Sequence, residues 1–241
     1  MATPLLALET ATDVCSAALM RDGRITAQAS LHQPRVHAEQ LAPLIRDLLA
    51  RAEVDRSALD AVAVSMGPGS YTGLRIGVST AKGLALAGDA ALIGVPTLEA
   101  LAASVQPYAQ PGDVACALLD ARRDEVYAAA YRFEADGLAP FAATSARAVA
   151  SLPDWLGAVD GRLWVIGDGG AKSAAALDDA GYASRVLPPE AHPPSAAWVA
   201  RRAGPRLDRG ATDDVAAFEP YYLKAFAGSQ PATTPFERLA F

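Results

Sequence analysis

The stretch at residues 65–87 reads SMGPGSYTGLRIGVSTAKGLALA, and its glycines precede a run of helical character. The apolar sequence DAVAVSM (60–66) comes directly before the glycines and is typical of a strand covered on both faces. A strand, a glycine-rich turn and a helix in this order permit two interpretations. The glycines either form a loop that binds phosphate, or they belong to a helix that lies close to another element.

The phosphate interpretation rests on the free amides and the positive end of a helix N-terminus, which bind anions. A P-loop has the pattern GxxxxGK[ST], in which a lysine follows the last glycine directly. Here Leu74 follows Gly73, and Lys82 comes more than two helical turns later. The pattern therefore does not favour a P-loop.

The packing interpretation accounts for more of the residues. With Ser70 as the N-cap, small residues recur at every fourth position of the helix, and such a ridge permits close approach of another helix. The small residues are Gly69, Gly73, Gly77, Ala81 and Ala85. This interpretation predicts that a leucine at Gly77 prevents helix pairing and leaves the chain folded.

The remaining circumference of this helix is also largely apolar, with Leu74, Ile76, Val78 and Leu84. A polar stripe remains, formed by Arg75, Ser79 and Lys82. A helix that is apolar nearly all round is covered on more than one side. The sheet is expected to cover one side, and either the chain's own helix at 36–51 or another subunit covers the other.

Composition excludes several classes of function. The chain has 241 residues and a formal net charge of −6, so its overall field does not attract nucleic acid or acidic lipid. Its N-terminus has no signal-peptide or membrane-span pattern, which predicts a cytoplasmic protein without a membrane partner. Cys15 and Cys116 lie far apart without companion ligands, so two buried free thiols are expected rather than a disulfide or zinc site.

The first half of the chain predicts a β-meander followed by alternating helices and strands. Asp22 and Gly23 form a favoured hairpin turn, and Pro43 is expected in the first turn of its helix, where a missing N–H costs little. The predicted strands are 5–9, 14–20, 24–30, 60–66 and 91–95, and the predicted helices are 36–51, 71–88 and about 97–104.

The second half repeats this layout. Residues 114–141 predict three more strands, with a turn at Asp136 and Gly137. A weak helix near 145–157, a strand at 162–167, a helix from about 171 and a helix at 196–204 capped by Ser195 follow. The duplicated order resembles the two-lobed α/β fold of actin and sugar kinases. We therefore predict lobes at 1–104 and 105–227, with the last helix a candidate to pack back on the first lobe, and a tail at 228–241.

Several motifs together resemble the TsaB family, also called YeaZ. They occur in order between about residues 5 and 224: LALETATDVCSAAL, HAEQLAPLIRDLL, DAVAVSMGPGSYTGLRIGVSTAKGLALA, IGVPTLEALA, LDARRDEVYAA, GDGG and PYYLK. The resemblance implies an actin-like (ASKHA, ribonuclease H-like duplicated) fold. It also implies a non-catalytic subunit of the bacterial complex that forms threonylcarbamoyladenosine next to the anticodon in tRNAs.

The resemblance further implies that the helices at 36–51 and 71–88 pack against the equivalent helices of the catalytic paralogue TsaD. The ATPase TsaE and tRNA then act on the resulting complex, and ATP and metal are expected on the partner subunits, with no cofactor on this chain. The expected interface residues are His37, Gln40, Leu44, Gly73, Leu74, Arg75, Gly77, Val78, Ser79 and Lys82.

Active members of this superfamily hold a nucleotide phosphate tail between two glycine-bearing hairpin turns. The corresponding turns here, residues 10–13 and 121–124, contain no glycine. Arg122 and Arg123 either attract phosphate or, as the favoured interpretation, pair with Asp120, Asp124 or Glu125. GDGG (167–170) either lies near an adenosine or is only a turn. The paralogue's HxxxH metal motif is also missing, since His32 and His37 have the wrong spacing.

Two alternatives stay open. The first is a stand-alone ATPase or small-molecule kinase of the same fold, which the missing glycines disfavour. The second is a self-associating protein, because the exposed helices of the isolated chain are expected to form a symmetric homodimer.

Overall fold

A computed structural model describes residues 4–135 and 137–224 of the chain. The predicted tail at 228–241, and Asp136 of the turn predicted at Asp136 and Gly137, lie outside the described residues.

The first sheet has five strands in the order β3-β2-β1-β4-β5. Strand β1 pairs antiparallel with β2 and parallel with β4. Both central strands are almost entirely buried, which explains their continuous apolar sequences. The strands are β1 (Leu5–Glu9), β2 (Val14–Arg21), β3 (Arg24–His32), β4 (Ala61–Gly67) and β5 (Ala91–Pro96).

The second sheet repeats this topology strand for strand. Its order is β10-β9-β6-β7-β8, in which β6 pairs antiparallel with β7 and parallel with β9. The duplicated α/β architecture predicted from the sequence is therefore present. The strands are β6 (Val114–Asp120), β7 (Glu125–Glu134), β8 (Gly137–Ala148), β9 (Leu163–Ile166) and β10 (Ser184–Val186).

The helices cover both faces of each sheet. Helices α1 and α2 lie on the outer face of the first sheet, α4 and α5 lie on the outer face of the second, and α3 and α6 pack together on the inner side. None of the described helices is long and apolar enough to cross a membrane. Their bounds are α1 (His37–Arg51), α2 (Tyr71–Gly88), α3 (Thr97–Ala103), α4 (Leu152–Leu156), α5 (Gly170–Asp179) and α6 (Ala196–Asp208).

Packing crosses the boundary proposed at residues 104 and 105. Helix α6, from the second half of the chain, packs its alanine-rich face against the first sheet, beside Leu5, Ala18 and Ile93. Helix α3, from the first half, packs Leu98 and Leu101 against the second sheet. The two lobe limits stay a prediction, and we use "first lobe" and "second lobe" for the two sheets with their outer helices.

Local sequence predictions succeeded at the helix caps and failed in three places. The side chains of Ser70 and Ser195 cap α2 and α6 as predicted. Pro43 lies in the second turn of α1, not the first, and the helix continues because its apolar face stays buried. The helix expected near 145–157 begins later than predicted, since β8 extends to Ala148 and the helical residues are a 3-10 turn (Val149–Ser151) and α4; strand β10 was not predicted.

Candidate functional site

The glycine ridge of α2 lies against the chain's own β1–β2 turn. A Cβ atom at Gly73 would overlap the carbonyl oxygen of Thr10, and one at Gly77 would overlap the Thr10 hydroxyl. A Cβ atom at Gly69 would likewise overlap the carbonyl oxygen of Ala11. The glycines therefore serve close approach between two elements of the same chain.

Hydrogen bonds fix this contact. The Thr10 hydroxyl donates to the Gly73 carbonyl over 2.9 Å, and the Ser70 amide donates to the Ala11 carbonyl over 2.7 Å. Thr10 and Ala11 are completely or almost completely buried as a result. Helix α2 thus begins at a position fixed by the end of β1.

These contacts correct two sequence-based interpretations. Gly73 and Gly77 are not available to a foreign helix, because backbone and side-chain atoms of Thr10 already occupy the space beside them. Leu74 and Val78, also expected at the interface, are buried, and Val78 belongs to the apolar cluster between the first sheet and its outer helices. For the same reason we expect a leucine at Gly77 to destabilise the fold, contrary to the expectation from the sequence that the chain stays folded.

A buried carboxyl group supports the same turn. The Glu9 side chain is almost fully buried, and its Oε1 accepts a hydrogen bond from the Ala11 amide over 2.6 Å. Burial raises the pKa of this carboxyl group from 4.5 to about 7, against the opposing effect of hydrogen bonds from Ser65 and Ala11. Glu9 therefore gains a negative charge only towards neutral or alkaline pH.

The predicted buried thiols are confirmed. Cys15 and Cys116 are both free and buried. Burial raises the pKa of the Cys15 thiol to about 11 and that of Cys116 to about 12, so neither is an activated nucleophile.

The opposite side of α2 is open. Five of its exposed residues follow one another at helical spacings of three and four, which places them on one face. Leu86 is 78% exposed, and a Cβ atom at Gly83 would have no neighbouring atom within 4 Å. We call this stripe the docking face; it consists of Thr72, Arg75, Ser79, Gly83 and Leu86.

The other predicted interface residues divide between the surface and the core. Gln40 is exposed on α1, and Leu44 is partly buried beside it. His37 is buried, and its Nε2 lies 3.2 Å from the Val14 carbonyl oxygen, so it joins the start of α1 to β2. The sequence does contain a signal for the burial of His37. The apolar stripe of α1, with Leu41 and Ile45, lies on the same side of the helix as His37.

Lys82 contacts its own chain. Its Nζ donates to the carbonyl oxygens of Ala216 over 3.0 Å and of Phe218 over 2.8 Å. Sequence analysis did not predict that the segment after α6 returns to α2, because nothing in its composition indicates a packing partner. The side chain of Lys82 is therefore committed to an internal contact.

The two hairpin turns expected to hold phosphate in active relatives are occupied internally. In the first, the Ala11 amide is bonded to Glu9, and the Val14 amide is bonded to the Thr12 hydroxyl over 3.2 Å. In the second, the Arg122 amide donates to Asp120 over 2.8 Å. Several of the amides around these turns are thus bonded within the chain, and neither turn contains a glycine, which disfavours the ATPase and kinase alternative.

The ion pairs of the second turn differ from those expected for its two arginines. Lys172 pairs with Asp120 and Lys224 with Glu125, and within residues 4–135 and 137–224 no ion pair joins these carboxylates to Arg122 or Arg123. The hydrogen bond from Lys172 lowers the pKa of Asp120 below its usual value. Beyond the hydrogen bonds from the two lysines, the charges of Arg122 and Arg123 still help to lower the pKa values of Asp120 and Glu125, but the direct ion-pair partners of these carboxylates are the lysines.

The GDGG segment has a structural contact of its own. Gly167 has a positive φ, where a Cβ atom would overlap the Leu118 carbonyl oxygen, and the Gly169 amide donates to that oxygen over 3.0 Å. The segment thus seats α5 on β6. No three His, Cys, Asp or Glu side chains among the described residues are placed to hold one metal ion.

Comparisons with known proteins agree with this architecture. Residues 24–158, more than half of the chain, match the family model described as TsaD: tRNA N6-adenosine threonylcarbamoyltransferase. The chain is 38% identical over 135 residues to the tRNA threonylcarbamoyladenosine biosynthesis protein TsaB of Escherichia coli (strain K12). That alignment covers 56% of this chain and 57% of the relative, little more than half of its length.

Solved structures extend the similarity to nearly the whole chain. YeaZ from Pseudomonas aeruginosa has a TM-score of 0.80 at 29% identity, and the match covers 92% of this chain and 100% of that one. Component A of the Acidaminococcus fermentans (R)-2-hydroxyglutaryl-CoA dehydratase shares only the fold, with a TM-score of 0.51 at 9% identity over 86% of this chain and 99% of that one. The chain therefore belongs to the TsaB (YeaZ) family, with the two-lobed, actin-like α/β fold predicted from its sequence.

Proposed function

We propose that this chain is an accessory, non-catalytic subunit of the bacterial assembly that forms threonylcarbamoyladenosine next to the anticodon in tRNA. In this proposal the chain forms a heterodimer with the catalytic paralogue TsaD through the outer helices α1 and α2. The name of the Escherichia coli relative and the match to the TsaD-type family model support this pathway.

The exposed side of α2 is the observation that carries the proposal. The helix has 18 residues, its inner side is sealed by the β1–β2 turn, and its outer side exposes Leu86 beside the small residues Ser79 and Gly83. An exposed large apolar side chain next to small ones suits a closely packed helix pair. Arg75 adds a cation, and arginine is enriched at interface hot spots.

An accessory role is supported by polar groups that are already bonded within the chain. The Ala11 and Arg122 amides of the two hairpin turns and the Lys82 side chain have partners inside the chain. We therefore assign the chemistry, and the ATP and metal that it needs, to the partner subunits TsaD and TsaE. This chain acts in the cytoplasm, where it contacts tRNA only as part of the complex.

Gly83 gives a sharper test than Gly77, because its side of the helix is open. Gly83→Leu is expected to leave the chain folded and to weaken binding of purified TsaD by about 30-fold or more, since a leucine there prevents close approach. Ala175→Leu is the matched control, because Ala175 is an exposed residue of α5 on the second lobe. Titration calorimetry measures both affinities.

Equal binding by Gly83→Leu, Ala175→Leu and the parent chain would contradict docking through α2. The isolated chain provides a second measurement, because an exposed apolar face of this kind favours a symmetric homodimer. Sedimentation of the parent chain is expected to show a dimer that Gly83→Leu weakens. Tight binding of ATP and magnesium to the isolated chain would instead support the ATPase or kinase alternative.

A further inference from the structure

The segment that follows α6 forms a strap over the edge of the first lobe. We define the strap as residues 213–224. It begins beside β5, where the Asp213 amide donates to the Leu92 carbonyl over 2.8 Å and the Gly94 amide donates to the Asp213 carboxylate over 2.8 Å. Arg206 of α6 pairs with the same carboxylate at 3.1 Å. The strap thus covers the hydrogen-bonding edge of β5 at this point.

The middle of the strap is inserted into the core between the first sheet and α2. Phe218 is 8% exposed and belongs to the same apolar cluster as α1 and α2. Its ring lies over Gly94, where a Cβ atom would overlap it, so the glycine makes room for the ring. Lys82 of α2 then binds the carbonyl oxygens of Ala216 and Phe218.

The strap next contacts the N-terminus of α2. The Tyr221 amide donates to the Met66 carbonyl over 2.7 Å, at the end of β4. The rings of Tyr222 and Tyr71 lie 4.8 Å apart between centroids, and Tyr71 is the first residue of α2. The strap therefore contacts α2 at its first residue and again at Lys82, three turns along.

The described part of the strap ends on the second lobe. The Lys224 Nζ donates to the Ala121 carbonyl over 3.0 Å and to the Glu125 carboxylate over 2.8 Å, and it lies 5.6 Å from the centroid of the Tyr127 ring. These residues belong to the β6–β7 hairpin of the second lobe. One continuous segment thus joins that hairpin to both contact points on α2.

We propose that the strap couples the position of the second lobe to the order of α2 and, through α2, to the affinity of the docking face. The strap has discrete polar anchors at both ends, so a shift of the β6–β7 hairpin pulls directly on the segment that holds α2. The consequence for partner binding rests on the function proposed above. The consequence for α2 itself is a property of the isolated chain.

Lys224→Met is the variant that tests the coupling, because it removes the charged anchor on the second lobe and keeps an apolar stem over Tyr127. Hydrogen exchange of the α2 amides in the isolated chain is expected to accelerate by about tenfold, and TsaD affinity to fall by a similar factor. Glu125→Gln breaks the same ion pair from the other side and is expected to reproduce both effects.

Lys172→Met is the matched control. Lys172 binds the same hairpin through Asp120 and the carbonyl oxygens of Arg123 and Glu125, but it belongs to α5 and not to the strap. It is expected to accelerate exchange in the β6–β7 hairpin and to leave that of α2 unchanged. An equal change of α2 exchange in Lys172→Met would overturn the proposal, because the hairpin and not the strap would then carry the effect.

The remaining outcomes also decide between the two proposals. Unchanged α2 exchange in Lys224→Met and Glu125→Gln overturns the strap coupling, even if the parent chain binds TsaD. Accelerated α2 exchange with unchanged TsaD affinity overturns the transmission to the docking face. If the parent chain does not bind TsaD, the proposed function fails, and accelerated α2 exchange alone still supports the coupling of the strap to α2.

Discussion

The two lobes share one sheet topology and differ in their outer layers. The first lobe has α1 and α2 outside, with 15 and 18 residues, whereas the second has α4 and α5, with 5 and 10. The short connections that lead into α2 and α5 each start at a positive-φ glycine, Gly67 and Gly167, and both seat their helix near the end of a central strand. The two lobes thus share the seat of this helix, whereas only the first lobe has long outer helices.

The ends of the two central strands also differ in charge. Glu9 and Asp120 are the last residues of β1 and β6. Glu9 is buried, which raises the pKa of its carboxyl group to about 7, whereas a hydrogen bond from Lys172 lowers the pKa of the half-exposed Asp120. The first lobe therefore holds a buried carboxyl group in the sealed turn under α2, and the second holds a solvated ion pair.

The largest expected effect compares the glycines that begin the two helices. Gly73→Ala places a Cβ atom on the Thr10 carbonyl oxygen and is expected to lower the free energy of unfolding by about 3 kcal/mol. A Cβ atom at Gly170 would lie 3.3 Å from a methyl group of Val165. Gly170→Ala is therefore expected to change the free energy of unfolding by less than about 1 kcal/mol. Urea denaturation measures the free energy of unfolding of both variants. Equal losses of stability would contradict the close contact between α2 and the β1–β2 turn.

A second prediction concerns pH. The raised pKa of Glu9 means that the folded chain holds the proton more tightly than the unfolded chain. Its stabilising contribution is complete below pH 4.5 and is lost as pH rises through about 7. The parent chain is therefore expected to lose up to about 3 kcal/mol between pH 5 and pH 8, and Glu9→Gln is expected to flatten this loss.

Asp120→Asn is the control for the pH experiment. The pKa of Asp120 is lowered from 3.8, so its contribution is present above that value and disappears only as pH falls further. The variant is expected to keep the parent slope between about pH 5 and pH 8, measured by urea denaturation at each pH. A Glu9→Gln profile as steep as that of the parent chain would show that another group titrates.

The smallest expected effect compares the two sides of α2. Gly83→Ala adds a methyl group in open space and removes the flexibility of an exposed helical glycine. It is expected to stabilise the chain by about 0.5–1 kcal/mol, seen as a higher melting temperature. Gly77→Ala on the sealed side is the destabilised counterpart. A loss of stability in Gly83→Ala would mean that the outer side of α2 is not open.

Sequence predicted the strands and long helices well, because their apolar periodicity and caps are local signals. Strands β1 and β4 are continuous apolar runs, and Ser70 marks the start of α2 in sequence and structure alike. The end of β8 and the short β10 were missed, because edge strands with mixed burial carry a weak pattern. Local sequence patterns therefore predicted the central strands and the long helices, but not the extent of the edge strands.

The candidate site was predicted less well, for a different physical reason. Regular spacing showed that Gly73 and Gly77 make a close contact, but spacing does not say with what. The contacting residue, Thr10, is about 60 positions away, and Lys82 contacts carbonyl groups more than 130 positions away. Long-range contacts of this kind decide which side of a helix stays open, and one sequence does not reveal them.

Hydrogen exchange of the chain alone and in complex with TsaD tests the central claim most directly. The account predicts slower exchange on binding in α1 and α2, at 37–51 and 71–88, and no change in α4 and α5, at 152–156 and 170–179. A complex that protects the outer helices of the second lobe, and leaves α1 and α2 unchanged, would contradict it.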